Sequence, residues 1–282
     1  MNEVAERQSN APSTQVNQAD QVLRSDILVP YVVLAQASSE SVKERKAQMG
    51  DIIRSTNFEK LGDPDKGIEV IFLHNPKTNW IVEQKEGNRY AFRRIEPRTA
   101  ANETAEWNFW GDKDGNELPP GTPGGSEWRR VKQLMAFAIL PQDIAAYEEE
   151  MKKVEQGELP DPSKALTPVI VSFRASSYKA GKEVATFFTQ AKSMRVPIHR
   201  YKLKLSCTLE KNDDGSFYVW NVDRAKPIAV PKEQLEVVQE WAQIINAGNA
   251  NLQVHDEGAS ENYGNMSQDT PKASESARAE VC

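Results

Sequence analysis

The chain has 282 residues, of which 39% are hydrophobic and 27% charged, with a formal net charge of -6; that size buries one good-sized core or two small ones. No apolar run approaches the roughly eighteen residues of a membrane span, and the first residues lack the basic start and apolar stretch of a secretion signal, so a membrane or secreted protein is disfavoured and a cytoplasmic location is expected. Cys207 and Cys282 lie far apart in sequence, which argues against a disulfide framework, and the two alone do not supply a metal site; Cys207, inside a strand-like run, reads as small core filler.

In chain order, residues 1–25 are rich in Asn, Gln, Ser and Ala without an apolar period and are expected to be disordered. The apolar run Ile27–Leu34, interrupted by Pro30, predicts a short edge strand. A polar stretch through Met49 follows. Gly67–Glu96 reads as a three-stranded antiparallel meander, GIEVIFLH, NWIVEQ and RYAFRRIE, joined by the turns NPKT and KEGN. Trp107–Trp128 holds five glycines, three prolines and three tryptophans and is expected to be irregular. Arg130–Leu140 predicts a buried strand ending at Pro141, and Gln142–Gln156 a surface helix. GELPDPSK then serves as a linker or crossover.

The second half has clearer periods. TPVIVSFRAS predicts a strand, and SSYKAGKEVATFFTQAKSM a helix with Ser176 or Ser177 as N-cap and Ala180, Val184, Phe187, Phe188 and Ala191 on its buried face. IHRYKLKLSCTLEK alternates, setting Tyr201, Leu203, Leu205, Cys207 and Leu209 against Arg200, Lys202, Lys204, Ser206 and Thr208. The turn NDDG makes a hairpin with SFYVWNVD, and either Tyr218 and Trp220 or Phe217 and Val219 share the basic face, depending on the register. PKEQLEVVQEWAQIINAG predicts a last helix, with Pro231 as its first residue, Leu235, Val238, Trp241, Ala242 and Ile245 inward, and Gly248 as its stop. Residues 249–282 carry a net charge of -4 and are expected to form a disordered acidic tail.

Charge is distributed unevenly. Between Lys164 and Lys204 lie nine basic residues and one acidic one. Candidate nucleic-acid-binding residues are therefore Arg174, Tyr178, Lys179, Lys182, Arg195, Arg200, Lys202, Lys204, Tyr218 and Trp220: cations to displace counterions from phosphate, rings to stack on bases. The alternative is an ordinary solvated face. The rings Trp107, Phe109, Trp110 and Trp128 either close over unstacked bases or form a small satellite core beneath a long loop. Arg93, Arg94, Arg98, Arg129, Arg130 and Lys132 extend a cationic track if the two halves pack together. No catalytic constellation is evident: GTPGG at 121–125 lacks the Gly-Lys-Ser/Thr ending of a phosphate loop, DKDGNE lacks calcium-loop spacing, and His74, His199 and His255 have no ligand spacing. Neither a metal nor a cofactor is expected.

The segments PVIVSFRASSYKAGKEVATFF and HRYKLKLSCTLEKNDDGSFYVWNV resemble the second half of replication-module proteins of tailed bacteriophages, and KAQMGDIIRSTNFEKLG resembles their N-terminal part. Those proteins are similar to single-stranded DNA-binding proteins built on a five-stranded oligonucleotide-binding barrel, and the resemblance covers roughly residues 26–245. It departs in the tail, where the acids are spaced by Ser, Asn and Ala instead of gathered in a terminal tip. The resemblance implies an α+β protein with a mostly antiparallel sheet, an OB-like barrel and two or three helices. Residues 26–248 form its domain, as one unit or as halves joined near 155–165. Its implied function is non-enzymatic single-stranded DNA binding in phage-type replication or recombination in the host cytoplasm, with replication or recombination proteins docking on the tail. The alternative is a virion-associated or regulatory protein-interaction module.

Overall fold

A computed structural model describes residues 29–87, 89–212 and 215–247. In chain order the strands are β1 (Tyr31–Leu34), β2 (Ile52–Arg54), β3 (Lys60–Gly62), β4 (Ile68–Phe72), β5 (Lys77–Glu86), β6 (Arg89–Pro97), β7 (Asn108–Gly111), β8 (Glu117–Leu118), β9 (Ser126–Ile139), β10 (Val169–Arg174), β11 (Tyr201–Asn212) and β12 (Gly215–Ala229). The helices are α1 (Glu40–Lys43), α2 (Pro141–Glu155), α3 (Tyr178–Ser193) and α4 (Lys232–Asn246). The fold is α+β, one large mixed sheet with these four helices. Among the described residues every strand pairing is antiparallel except β1 with β10.

β9 organises the sheet. Its 14 residues span about 46 Å at roughly 3.3 Å per residue, long enough for two neighbours in succession on each edge. One edge carries β4 (Phe72 opposite Ala138) and then β5 (Lys77 opposite Met135 through Gln84 opposite Trp128). The other carries β10 (Val169 opposite Ala138 through Arg174 opposite Gln133) and then β7 (Asn108 opposite Arg129). β4 and β5 thus lie end to end along one partner, whereas the meander reading paired them. At the break His74 substitutes for a strand: its Nε2 accepts from the Phe137 amide at 3.0 Å, and its Nδ1–H donates to the Asn75 carbonyl at 2.5 Å.

Side-chain alternation builds a core on each face. Val32, Ile52, Phe72, Leu134, Ala136, Phe173, Leu205 and Trp220 lie on one, under the apolar face of α3; Val33, Ile53, Ile71, Phe137 and Ile170 lie on the other, under Ile144 of α2 and Val238 and Ala242 of α4. α3 seats closely because position 181 is glycine: a Cβ there would stand 2.7 Å from Phe173 Cβ and 2.9 Å from Leu134 Cδ1.

The hydrogen-bonded path ends at β3 and β12, so the sheet is not closed. Its two sides nevertheless approach each other. Gln36, just past β1, clasps the main chain of β12, donating from Nε2 to the Tyr218 carbonyl at 2.8 Å and accepting the Tyr218 amide at 2.9 Å. Beside it, the Cys207 thiol donates to the Gly50 carbonyl at 3.3 Å.

Several sequence expectations change. β1 starts after Pro30 and is an interior strand between β10 and β2, because its uniformly buried Tyr31–Leu34 has core on both faces; Ile27 lies outside the described residues. The polar stretch that follows contains the single-turn α1, and β2 and β3 were not anticipated. The Trp107–Trp128 segment is partly regular, because its aromatic residues pair: Phe109 sits opposite Trp128, and β9 begins at Ser126. Ser177 does not cap α3 with its side chain; its Oγ instead accepts the Trp220 amide at 3.0 Å. Pro231 stands at the N-cap of α4, one position before its first turn. The predicted tails, the NDDG aspartates and Gly248 lie outside the described residues. Strands from both sides of residues 155–165 interleave in the one sheet.

Candidate nucleic-acid interface

The register of the β11–β12 hairpin decides which aromatics face the cations. Cys207 pairs with Trp220 and Leu209 with Tyr218, and residues directly opposite share a face. Tyr218 and Trp220 therefore belong to the α3-side core. Trp220 is 7% exposed, with its ring edge-on to Phe173 at 6.4 Å, and offers no free face for a base; Tyr218 is half-buried against the same cluster.

The predicted cations divide between two sides of the sheet. Leu203, Leu205 and Phe173 point into the α3-side core, so Lys202, Lys204 and Arg174 point to the opposite face. Acidic partners, unforeseen because they come from other strands, accompany the lysines there. Lys202 Nζ lies 3.1 Å from Glu69 of β4, and Lys204 stands opposite both Glu69 and Asp223. Arg195 and Arg200 are exposed near the C-terminal end of α3, about 24 Å along a 16-residue helix from Tyr178.

Tyr178, Lys179 and Lys182 begin α3, and there the structure joins them to the other half of the chain. Beneath α3 the face of β9 shows Leu134, Ala136 and Ala138. Where the helix stops covering it, the same face continues as Lys132, Arg130 and Trp128, flanked by Trp80 and Val82 of β5 and Arg94 and Glu96 of β6. This uncovered wing carries alternating rings and cations. Arg98 lies 4.9 Å from the Trp80 ring centre and donates from Nη1 to the Tyr178 hydroxyl at 2.8 Å. Lys182 stands 5.3 Å from the Tyr178 ring. Lys132 is 5.6 Å from Trp80 and 5.2 Å from Trp107, and Trp107 is itself edge-on to Trp80 at 5.9 Å.

Burial sorts these groups by role. Trp80 and Trp128 are at most 1% exposed and form a satellite core under the 98–125 segment, each ring removing on the order of 200 Å² from water. Trp107 is different: 52% of it is exposed. Arg98 is largely buried and paired with Glu103, so it positions Tyr178 and Trp80. Arg94, Arg129 and Arg130 pair with Glu96, Glu83 and Glu117, which neutralises much of the expected cationic track. Among the described residues no carboxylate lies within ion-pair distance of Lys132, Lys179 or Lys182. Among the described residues those three amines, with the exposed Trp107 and the half-buried Tyr178, are the cations and rings that this surface leaves without a carboxylate partner or a buried seat. Trp80 was missed in the sequence because it reads as an ordinary strand residue; its pairing with Lys132 across β9 was the only available signal, and it needed the register.

Among the described residues no group of three His, Cys, Asp or Glu side chains is arranged to hold a metal ion, and no helix is long and apolar enough to cross a membrane. Burial pushes the Cys207 thiol up to about 12, far from the thiolate a nucleophile needs. No family model, curated protein or solved structure matches the chain.

Proposed function

We propose that the protein is a non-enzymatic single-stranded DNA-binding protein and that the strand lies along the uncovered wing, from the start of α3 past Lys132 and Trp107. The observation that carries this reading is the Arg98 bridge, which makes one surface of two cation-and-ring clusters far apart in sequence. Unpaired lysines beside an exposed indole match what sequence-tolerant single-strand binding requires: amines that displace counterions and a ring on which a base stacks. In this reading the curled sheet clasped by Gln36 is an open barrel of the oligonucleotide-binding kind. The resemblance to phage replication-module proteins supports a role in replication or recombination, with the acidic tail competing for the same lysines or docking partner proteins.

Replacing Trp107 with alanine tests the reading. One stacked base contributes roughly 1 to 3 kcal/mol, so affinity for a thirty-nucleotide strand falls about tenfold while thermal stability, set by the buried Trp80 and Trp128, changes little. Unchanged affinity in a folded variant would remove the wing from the interface.

A further inference from the structure

We infer that the cleft where the wing ends at the β7 edge, with Phe109 and Trp128 on the wing face and Trp110, Glu127 and Tyr90 on the opposite one, receives one unstacked guanine base of the bound strand, an inference that rests on the single-strand reading above. The cleft has a volume of about 440 Å³ and is walled by Tyr90, Phe109, Trp110 and Trp128, with Glu106, Glu117 and Glu127 also lining it. Its size lies within the range of small-ligand sites. Phe109 and Trp128 lie near-parallel, with centroids 6.1 Å apart.

Two features select the guest. First, the rings already carry cations of the protein itself: Arg129 lies 4.0 Å from the Tyr90 centroid, Arg130 4.2 Å from Phe109 and Arg94 5.9 Å from Trp128. A lysine- or arginine-bearing peptide would meet three guanidiniums, whereas a neutral planar base can lie against Trp110, the half-buried wall ring over which no cation lies among the described residues. Second, the carboxylates are unequally engaged. Glu117 pairs with Arg130 and Glu127 with Lys85, while among the described residues no cation lies within ion-pair distance of Glu106, whose carbonyl accepts from Arg130 Nη1 at 3.2 Å.

An ionised carboxylate only accepts hydrogen bonds. Of the four DNA bases, guanine alone sets two donors side by side on its Watson–Crick edge, N1–H and N2–H, matching the two oxygens of one carboxylate. Adenine and cytosine place a ring acceptor beside their amino group, and thymine flanks its single N–H with carbonyls. Unstacked bases in single strands are read along this edge, and a bidentate contact of this kind discriminates by roughly tenfold or more.

The experiment compares a thirty-nucleotide oligothymidine with the same strand carrying five isolated guanines, titrated by anisotropy into wild-type protein and Glu106→Gln. The inference predicts roughly tenfold tighter binding of the guanine strand by the wild type and loss of that preference in E106Q, an exposed position that leaves the fold intact. Equal wild-type affinities for the two strands would overturn the guanine site and leave single-strand binding standing; a preference that survives E106Q would overturn the carboxylate's role. Failure to bind either strand would overturn both readings. Quenching of the cleft tryptophans by an oligolysine peptide but not by deoxyguanosine monophosphate would assign the cleft to a cationic protein segment.

Discussion

The Arg98 guanidinium donates to the Tyr178 hydroxyl at 2.8 Å across 80 residues of sequence, tying the β5–β6 hairpin to the first turn of α3. Without it, the lysines that begin α3 and the Trp80–Trp107 pair would be separate patches on one sheet face. With it, Lys182 and Tyr178 run on into Trp107 and Lys132 as one surface.

The salt dependence of binding should come from the unpaired amines. Lys132→Ala, Lys179→Ala and Lys182→Ala combined lowers the slope of log affinity against log salt by about 2, at roughly 0.7 per lost single-strand phosphate contact. Lys202→Ala leaves the slope unchanged, because Glu69 already holds that amine. The reverse pattern would move the interface to β11.

Wing stability depends on a buried ion pair. Glu83 is 2% exposed and paired with Arg129, which also covers the Tyr90 ring. Arg129→Ala strands a carboxylate in the sheet and destabilises by about 3 kcal/mol. Adding Glu83→Gln recovers part of the loss, because a neutral amide costs less to bury. Chemical denaturation of the two variants checks this; equal stabilities would contradict it.

Acidification should destabilise the fold through His74. Burial holds its imidazole below the ordinary value of 6.5, and its Nε2 must stay unprotonated to accept the Phe137 amide. The unfolded chain takes up the proton first, so stability is full above about pH 6.5 and falls as pH drops below it. His199, also lowered by burial, acts in the same direction. Melting temperatures between pH 7.5 and 5.5 fall less steeply in His74→Gln, whose side-chain carbonyl still accepts from Phe137; identical slopes would refute the assignment.

Cys207 should be inert to thiol reagents in the folded protein. Its sulfur is buried, donates to Gly50, and burial pushes it up to about 12. In a Cys282→Ser background no thiol titrates at pH 8 until denaturant is added. Fast labelling of the native protein would show that the clasped side of the sheet opens.

What could be read from the sequence followed local periods. The buried faces of α3 and β11 emerge from Ala180, Val184, Phe187 and Phe188 and from Leu203, Leu205 and Cys207 without reference to anything distant. The end-to-end placement of β4 and β5 was hidden because it depends on the length of β9, whose first residues sit in a Gly/Pro-rich stretch. The basic segment was legible as a run of cations, but the partners of those cations were not. Strand alternation puts Lys202 and Lys204 on one face, but Glu69 and Asp223 come from neighbouring strands that alternation cannot order. Likewise Tyr218 and Trp220 were undecided because the hairpin register is set at the NDDG turn, and the register turns both rings toward the core.

The most direct test of single-strand binding is the anisotropy of a labelled thirty-nucleotide strand titrated with the full chain at low and moderate salt, beside duplex of the same sequence. Tight, salt-sensitive binding to the single strand and much weaker binding to duplex is the predicted result, since Trp107 can stack only on an unpaired base. Equal affinity for both forms, or no binding at low salt, would contradict it.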